Sequence, residues 1–297
     1  MKFLVLGAGG QLGRELCQRL PALGHEAVAL DRQGLDLTRA QAVETILARL
    51  APDRVVNCAA YTRVDDAELH PEEAYAVNRD GAANVASACA GLQVPLCHIS
   101  TDFVFTQDPP EPVRPWSEVD VPLPRGVYAE SKRAGELECL SRHQDLFLVR
   151  TAWLFGGAGP NFPIAICRAA AQGRSLRVVD DQTGTPTWTG ALAPALVRLL
   201  ETESYGLYHL TASGSATWLE FARAVLERVG ITAEVQPTST SAWAARAPRP
   251  RYSVLENRRW LALGMAALEG WEQGLAAYVE SEREGALAGL APSAPAG

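Results

Sequence analysis

The sequence predicts an α/β fold: a Rossmann-like, doubly wound parallel sheet with a smaller C-terminal α/β domain. Three observations predict it. Short apolar runs of strand length alternate with helix-like stretches through the first half of the chain, the order that builds a parallel sheet. Glycines at 7, 9, 10 and 13 directly follow the first of those runs, where a strand must turn tightly into a helix. After Arg150 the pattern becomes less regular, which marks a second unit. The 297 residues accommodate two domains at roughly 100–200 residues each. We divide them as 1–150, 151–285 with later segments free to return to the first unit, and a tail, 286–297, whose Ala, Gly, Pro and Ser predict disorder.

Residues 2–6 (Lys-Phe-Leu-Val-Leu) read as a buried strand and Gln11 to Leu20 as the helix that follows. Glu26 to Leu30 is a second strand, closed by Asp31. Thr38 with Gln41 has capping-box spacing, so a helix to about Leu50 is expected to begin there. Residues 53–57 give a third strand, and 71–90 a helix with Pro71 in its first turn. A fourth strand runs from Pro95 to Ser100 and a later one from Leu146 to Arg150. Between them, the proline-rich stretch 107–126 reads as a long loop leading into a helix from Val127 to His143. The second half predicts a Gly/Pro loop (156–163), a helix, a strand at 176–179, a helix at 190–200, a strand at Leu207–Leu210 and a helix from Thr217 to Val229.

Composition narrows the function. The chain is 47% hydrophobic and 21% charged, ordinary usage for a globular protein. No run approaches the ~20 apolar residues of a membrane-spanning helix, and the N-terminal strand reaches its glycines too soon for a signal peptide. Membrane partners are therefore not expected, and a cytoplasmic location is. A net charge of −7 is the wrong sign for a phosphate-tracking surface, so nucleic acid is not expected either. The six cysteines form no C-x-x-C pair and read as reduced thiols. The five histidines lack zinc-ligand spacing. Of 27 basic residues only Lys2 and Lys132 are lysine, which singles out Lys132, because arginine does not replace a lysine's compact charge and tunable pKa.

Gly7, Gly10 and Gly13 form a G-x-x-G-x-x-G turn at the start of a helix. A phosphate at a helix N-terminus gains from free amides and the helix dipole, and needs backbone without Cβ atoms beside it. A bare strand-to-helix turn is the plainer alternative. Asp31 closes the second strand, where a dinucleotide fold puts a carboxylate on the adenosine ribose. That favours NADH, whereas the adjacent Arg32 suits the 2′-phosphate of NADPH, so use of either cofactor is expected. Asp36 and Leu37 fall near the adenine, and Ala59, Ala60 and Tyr61 follow the third strand with small side chains beside a flat ligand. Tyr128-Ala129-Glu130-Ser131-Lys132 is a Y-x-x-x-K pair that shares one helix face. A phenol titrates near ~10; an adjacent ammonium and an oxidised nicotinamide are expected to lower it. Thr101, at the carboxyl end of the fourth strand, is placed to hydrogen-bond a substrate carbonyl. An exposed helix face and a capped strand end are the plainer readings of these two motifs.

Together these pieces resemble the extended short-chain dehydrogenase/reductase superfamily, and within it the dTDP-4-dehydrorhamnose reductase family. The likeness covers the chain to about Tyr278. It is carried by Gly7 to Gly13, Ala59 to Thr62 with Val64-Asp65, Ser100 to Phe105, Tyr128 to Lys132, Arg150 to Trp153, Asp181 to Thr187, Gly206 to Leu210, and Arg249-Pro250 with Ser253 and Leu255. The resemblance implies hydride transfer from NADPH or NADH to the C4 carbonyl of a dTDP-4-keto sugar. Tyr128 is then the proton donor, Lys132 the holder of the ribose and Thr101 the carbonyl guide. It implies a cofactor site lined by Gly10, Gln11, Leu12, Asp31, Asp36, Leu37, Ala59, Ala60 and Tyr61, and a nucleotide-sugar contact at Thr101, Asp102 and Trp153. Trp153 suits a stacking surface, and Arg249 suits the nucleotide diphosphate or nearby backbone. Some members dimerise around a magnesium ion held partly by a first-helix glutamate. Glu15 stands at that position, which implies a Mg2+ contact and a homodimer; a solvated helix carboxylate is the alternative. Phe103 replaces the tyrosine frequent in the family, and with it any hydroxyl contact.

Three other readings stay open on the sequence. A sugar-nucleotide 4,6-dehydratase would place Asp then Glu after the threonine, and Phe103 argues against it. A reductase or epimerase of another 4-keto nucleotide sugar shares the triad. A non-catalytic regulatory subunit of methionine adenosyltransferase shares the fold, but the intact Thr101, Tyr128 and Lys132 favour an enzyme.

Overall fold

The computed structural model describes residues 1–157, 159–243 and 245–290. Its first half runs β1 (Lys2–Leu6), α1 (Gln11–Ala22), β2 (Glu26–Leu30), α2 (Ala40–Leu50), β3 (Arg54–Asn57), α3 (Val64–Ala67), α4 (Pro71–Tyr75), α5 (Ala82–Leu92), β4 (Leu96–Thr101), α6 (Val127–Arg142) and β5 (Leu146–Thr151). The second half follows as β6 (Leu154–Phe155), α7 (Phe162–Ala171), β7 (Leu176–Val179), β8 (Thr183–Gly184), β9 (Thr187–Trp188), α8 (Thr189–Leu200), β10 (Gly206–His209), β11 (Ala216–Thr217), α9 (Trp218–Val229), β12 (Val235–Thr238), α10 (Thr240–Trp243), α11 (Arg258–Ala262) and α12 (Trp271–Glu282).

Six strands pair in the order β10-β5-β4-β3-β1-β2, and every pairing is parallel. Both faces are covered, so each strand is apolar on both sides. Phe3 and Val5 pack with α1 and α8 through Leu12, Leu16, Leu192 and Leu196. Leu4 and Leu6, pointing the other way, pack with α2, α5 and α6 through Val43, Leu47, Val85 and Cys139. The chain leaves β1 for β2 on one side and returns to β3 on the other. That reversal opens a crevice at the carboxyl ends of β1 and β3, where open α/β sheets bind ligands. A second cluster joins Phe155, Phe221, Trp271 and Tyr278 of the later helices, and β7 pairs with β12 in a small sheet of its own.

The strand expected at Leu207–Leu210 is a later segment that returns to the first unit: it joins the central sheet, where β10 registers Gly206 on Phe147 and His209 on Arg150. Its buried Tyr208 and neighbouring Leu210 fill the α1/α8 face. Several other expectations are corrected. The Thr38–Gln41 capping box does not form. Asp36 Oδ1 accepts both the amide and the hydroxyl of Thr38, and the helix begins two residues later at Ala40, because a short acidic side chain outcompetes the helix for its neighbour's donors. A capping box forms instead at Thr217 and Glu220, opening α9. The helix expected over 71–90 carries a π-helical segment, Ala76–Gly81, between α4 and α5. The tail does not lose structure at 286: Leu287 is buried among Phe155, Trp271 and Tyr278, while 291–297 lie outside the described residues. No described helix is long and apolar enough to cross a membrane.

Candidate active site

A cleft of about 1580 Å³ lies along the carboxyl ends of β1, β3 and β4 and reaches the later lobe at Trp218. That is larger than the ~300–1,000 Å³ usual for one small ligand and has room for two. Every site residue expected from the sequence lines it except Arg249.

At one end the glycine turn leads into α1. Gly7 has φ +74°, and a Cβ there would lie 2.6 Å from the Ala59 nitrogen. A Cβ on Gly13 would lie 2.4 Å from the Gly7 carbonyl oxygen. Both positions therefore require glycine. Gly10 caps α1 without a side chain, and the first turn of the helix holds no acidic residue, so its amides stay free for an anion. Gln11 Oε1 is buried without a partner. This cradle fits a dinucleotide pyrophosphate. Asp31 sits beside it; its Oδ1 accepts the amides of Gln33 and Gly34 at 3.0 Å each, so the carboxylate also holds the β2 turn. Asn57 Oδ1 accepts the Ala59 amide and fixes the Ala59–Tyr61 turn.

At the other end stand Thr101, Tyr128 and Lys132, all buried. Lys132 Nζ donates to the Ile99 carbonyl at 2.7 Å. Burial lowers its pKa to about 8, which keeps most of it charged at neutral pH. Two of its three protons remain for a ligand. The Tyr128 phenol adjoins the Thr101 hydroxyl, and burial pushes its pKa up to about 12. This reverses the lowering expected from the Y-x-x-x-K spacing: desolvation is the larger effect and the Lys132 ammonium is turned to β4 instead. The result is a phenol that holds its proton until a stronger base arrives. Thr101 donates to Asp102 Oδ1 at 3.1 Å and accepts the Phe103 amide at 3.2 Å.

Sequence reasoning missed three groups. Asn78, in the π-helical segment, donates to the Tyr61 carbonyl and the Ser131 hydroxyl and accepts the Tyr61 amide. It ties the cofactor-side turn to the helix of Tyr128. A Cβ on Gly135 would fall 2.0 Å from the Asn78 carbonyl oxygen, so this close approach depends on glycine, and π-bulges collect at such sites. Trp218 stacks on Trp153 with ring centroids 3.6 Å apart and planes 7° apart. Trp153 has φ +44°, a strained value for an aromatic residue. The expected stacking surface for a base or sugar is thus already covered on one face. Behind Thr101 and Lys132, Glu136 is fully buried against Arg150. A long aromatic at the start of a helix was the sequence signal for Trp218; nothing local marked Asn78 or the Glu136–Arg150 pair.

Two expected residues sit differently from their expected roles. Arg249 forms a bidentate pair with Asp65, with Nη1 3.0 Å from Oδ1 and Nη2 2.8 Å from Oδ2. Asp65 also accepts the amides of Arg246 and Ala247, so Arg249 anchors its loop to α3 rather than lining the cleft. Glu15 pairs with Arg19 at 2.7 Å, and among the described residues no cluster of three His, Cys, Asp or Glu side chains is placed to hold a metal. One carboxylate already held by an arginine does not fit Mg2+, which demands an octahedral set of oxygens, and the expected Mg2+ contact is withdrawn for the single chain.

With Trp153 as the expected nucleotide-sugar contact, Trp218→Leu should raise substrate KM by up to roughly tenfold, the worth of one aromatic pair, with kcat nearly unchanged. Trp218 also packs on Phe162 at 4.6 Å, so Trp218→Phe should restore most of the loss. Steady-state kinetics of both variants checks this, and a fall in kcat at constant KM would contradict it.

A family model described as the RmlD substrate binding domain matches residues 1–284. The chain is 43% identical to a dTDP-4-dehydrorhamnose reductase of Streptomyces griseus over 281 residues, covering 92% of this chain and 91% of the relative. It is 39% identical to a probable dTDP-4,6-dihydroxy-2-methyloxan-3-one 4-ketoreductase of Streptomyces antibioticus, covering 93% of each. Among solved structures, a dTDP-4-dehydrorhamnose reductase from Bacillus anthracis in complex with NADP superposes with a TM-score of 0.91 at 35% identity, covering 94% of this chain and 99% of that one.

Proposed function

The chain belongs to the RmlD substrate-binding-domain family, and from that premise we propose that it reduces the C4 carbonyl of dTDP-4-dehydro-6-deoxy-L-mannose to dTDP-L-rhamnose with NADPH or NADH. The observation that carries this reading is the convergence of Thr101, Tyr128 and Lys132 in one cleft with a glycine cradle fit for a dinucleotide. The relatives named as dTDP-4-dehydrorhamnose reductases supply the substrate, and they favour this reading over the epimerase and regulatory-subunit alternatives. A cytoplasmic site of action is part of it.

With its pyrophosphate held in the glycine cradle, a reduced dinucleotide would supply the hydride. Tyr128 gives its proton to the oxygen that becomes negative at C4. An alkoxide is about as basic as hydroxide, whose conjugate acid has a pKa of about 15.7, so a phenol at about 12 still transfers its proton downhill. Lys132 holds the ribose with its free protons, and Thr101 and Trp153 position the sugar. Incubation of the purified protein with dTDP-4-dehydro-L-rhamnose and reduced cofactor tests the reading. Stoichiometric oxidation with dTDP-L-rhamnose as product is expected. Cofactor binding without oxidation would move the substrate to another 4-keto nucleotide sugar, as the Streptomyces antibioticus relative's name allows.

Asp31→Ala is expected to shift the ratio of specificity constants toward NADPH by roughly tenfold to hundredfold, since a charged hydrogen bond is worth about 1.5–3 kcal/mol. Because Asp31 also holds the Gln33 and Gly34 amides, Asp31→Asn serves as the control that keeps an acceptor there. An unchanged ratio in both variants would remove Asp31 as the ribose reader.

A further inference from the structure

We propose that Asp102 recharges Tyr128 with a proton through the Thr101 hydroxyl, so that Asp102, Thr101 and Tyr128 form a relay. The relay deepens the proposed reduction and rests on it. The geometry is specific. Asp102 is 2% exposed, and its Oδ2 is buried without a hydrogen-bond partner. The groups facing it are Thr101 and Phe103 of its own segment, Tyr128 from α6 and Ser253 from the segment after α10; the Ser253 and Thr101 hydroxyls offset part of the cost of its burial without outweighing it. None of them is cationic. A buried carboxylate with one oxygen unpaired and no counter-ion is costly, and a proton removes that cost. Burial accordingly raises the Asp102 carboxyl to about 6.

A threonine hydroxyl has a single proton. While Asp102 is ionised, Thr101 spends that proton on Oδ1 and takes the Phe103 amide on its oxygen, so toward Tyr128 it offers only a lone pair. When Asp102 carries a proton, the direction reverses: the carboxyl donates to Oγ1, and the Thr101 proton is freed toward the adjoining phenol. Tyr128 needs such a donor. It is buried, with Phe103 edge-on to its ring at 5.4 Å, and after giving up its proton it is a strong base.

The proton count closes. The C4 oxygen takes the Tyr128 proton and the O–H bond of the alcohol forms. The phenolate takes the Thr101 proton, and Thr101 takes the Asp102 proton. The Asp102 carboxylate is left ionised and regains one proton from solvent. Each turnover therefore draws one proton from solvent, and no oxidant or reductant beyond the cofactor is used.

Rapid mixing of enzyme, NADPH and dTDP-4-dehydro-L-rhamnose separates the first turnover from those that follow. In the first turnover Tyr128 is already protonated; later ones wait for the relay. At saturating substrate, Asp102→Asn is expected to show a steady state roughly tenfold to hundredfold slower than its own first turnover, the lower range for a lost acid–base group. It should show a one-equivalent burst that the wild type lacks. In the wild type the steady-state rate should fall as pH rises through the carboxyl's range, because the donor form is lost, and Asp102→Asn should remove that slope. Equal slowing of the burst and the steady state would make Asp102 a packing or substrate-holding residue and overturn the relay. So would a steady state unaffected by the variant, or a wild-type rate with no such slope if the variant does not fold. Failure of the wild-type chain to oxidise NADPH at all would instead overturn the reaction on which the relay rests, a result distinct from both.

Discussion

Tyr128→Phe is expected to lower kcat by roughly 10²- to 10⁴-fold, the range for loss of a positioned acid, while cofactor affinity stays within a few-fold. The substitution deletes one oxygen and keeps the ring, and the ring makes the packing contact with Phe103. The phenol's polar neighbour is the Thr101 hydroxyl, which keeps its own bonds to Asp102 and the Phe103 amide when the phenol is removed, so folding should be little changed. Cofactor binding depends on other groups: the glycine cradle, whose two collision-prone positions lie in Gly7 and Gly13, and Lys132, whose anchor is the Ile99 carbonyl. Kinetics with saturating and limiting NADPH, beside cofactor binding measured directly, checks the split. Equal loss of turnover and of cofactor affinity would show that Tyr128 holds the cofactor or the fold and does not carry the proton.

The parts of this site that were legible in the sequence are those whose determinants are local. The glycine turn follows from three positions in seven residues, two of which leave no space for a Cβ. Tyr128 and Lys132 follow from helical spacing alone. What was not legible depends on partners distant in the chain. Asn78 acts on Tyr61 and Ser131, 17 and 53 residues away, and its backbone meets α6 only because position 135 is glycine. Trp153 reads from sequence as an open stacking surface; its face is closed by Trp218, which arrives from the other lobe. The raised pKa of Tyr128 is of the same kind, since spacing shows the ammonium but not the burial that outweighs it. Leu207–Leu210 has strand character from sequence, yet the place of β10 at the edge of the central sheet beside β5 is a matter of topology.

Glu136→Ala is expected to destabilise the fold by about 3–5 kcal/mol, the usual result of leaving one buried charge without its partner. Glu136 Oε1 accepts Arg150 Nε at 2.8 Å and the Ser100 hydroxyl at 2.6 Å. Its Oε2 accepts Arg150 Nη2 at 2.8 Å and Arg133 Nη1 at 2.6 Å. Arg150 is 1% exposed and pairs with no other anion among the described residues. His209, 3.4 Å from Nη1, is kept neutral by burial, its pKa lowered to about 3, and offers only a lone pair. Arg150 also lies over the Phe105 ring at 5.1 Å, too weak a contact to replace a carboxylate. Removing Arg150 together with Glu136, as Glu136→Leu with Arg150→Met, should recover much of the loss, because the stranded charge goes with its partner. The pH dependence has a definite sign. The arginines and Ser100 hold the Glu136 carboxyl at about 2, against an ordinary 4.5. Its contribution is fully present above the ordinary value and is lost as pH falls toward 2. Glu136→Gln should therefore be less stable than the wild type at neutral pH and should flatten the loss of stability between those limits. Denaturant unfolding at neutral pH and near pH 3 measures both effects. The network also reaches the chemistry: Ser100 precedes Thr101 on β4, and Glu136 lies one helical turn beyond Lys132 on α6. Activity should fall with Glu136→Ala even under conditions where the variant is folded, and stability unchanged by the substitution would mean that Arg150 finds another partner the structure does not show.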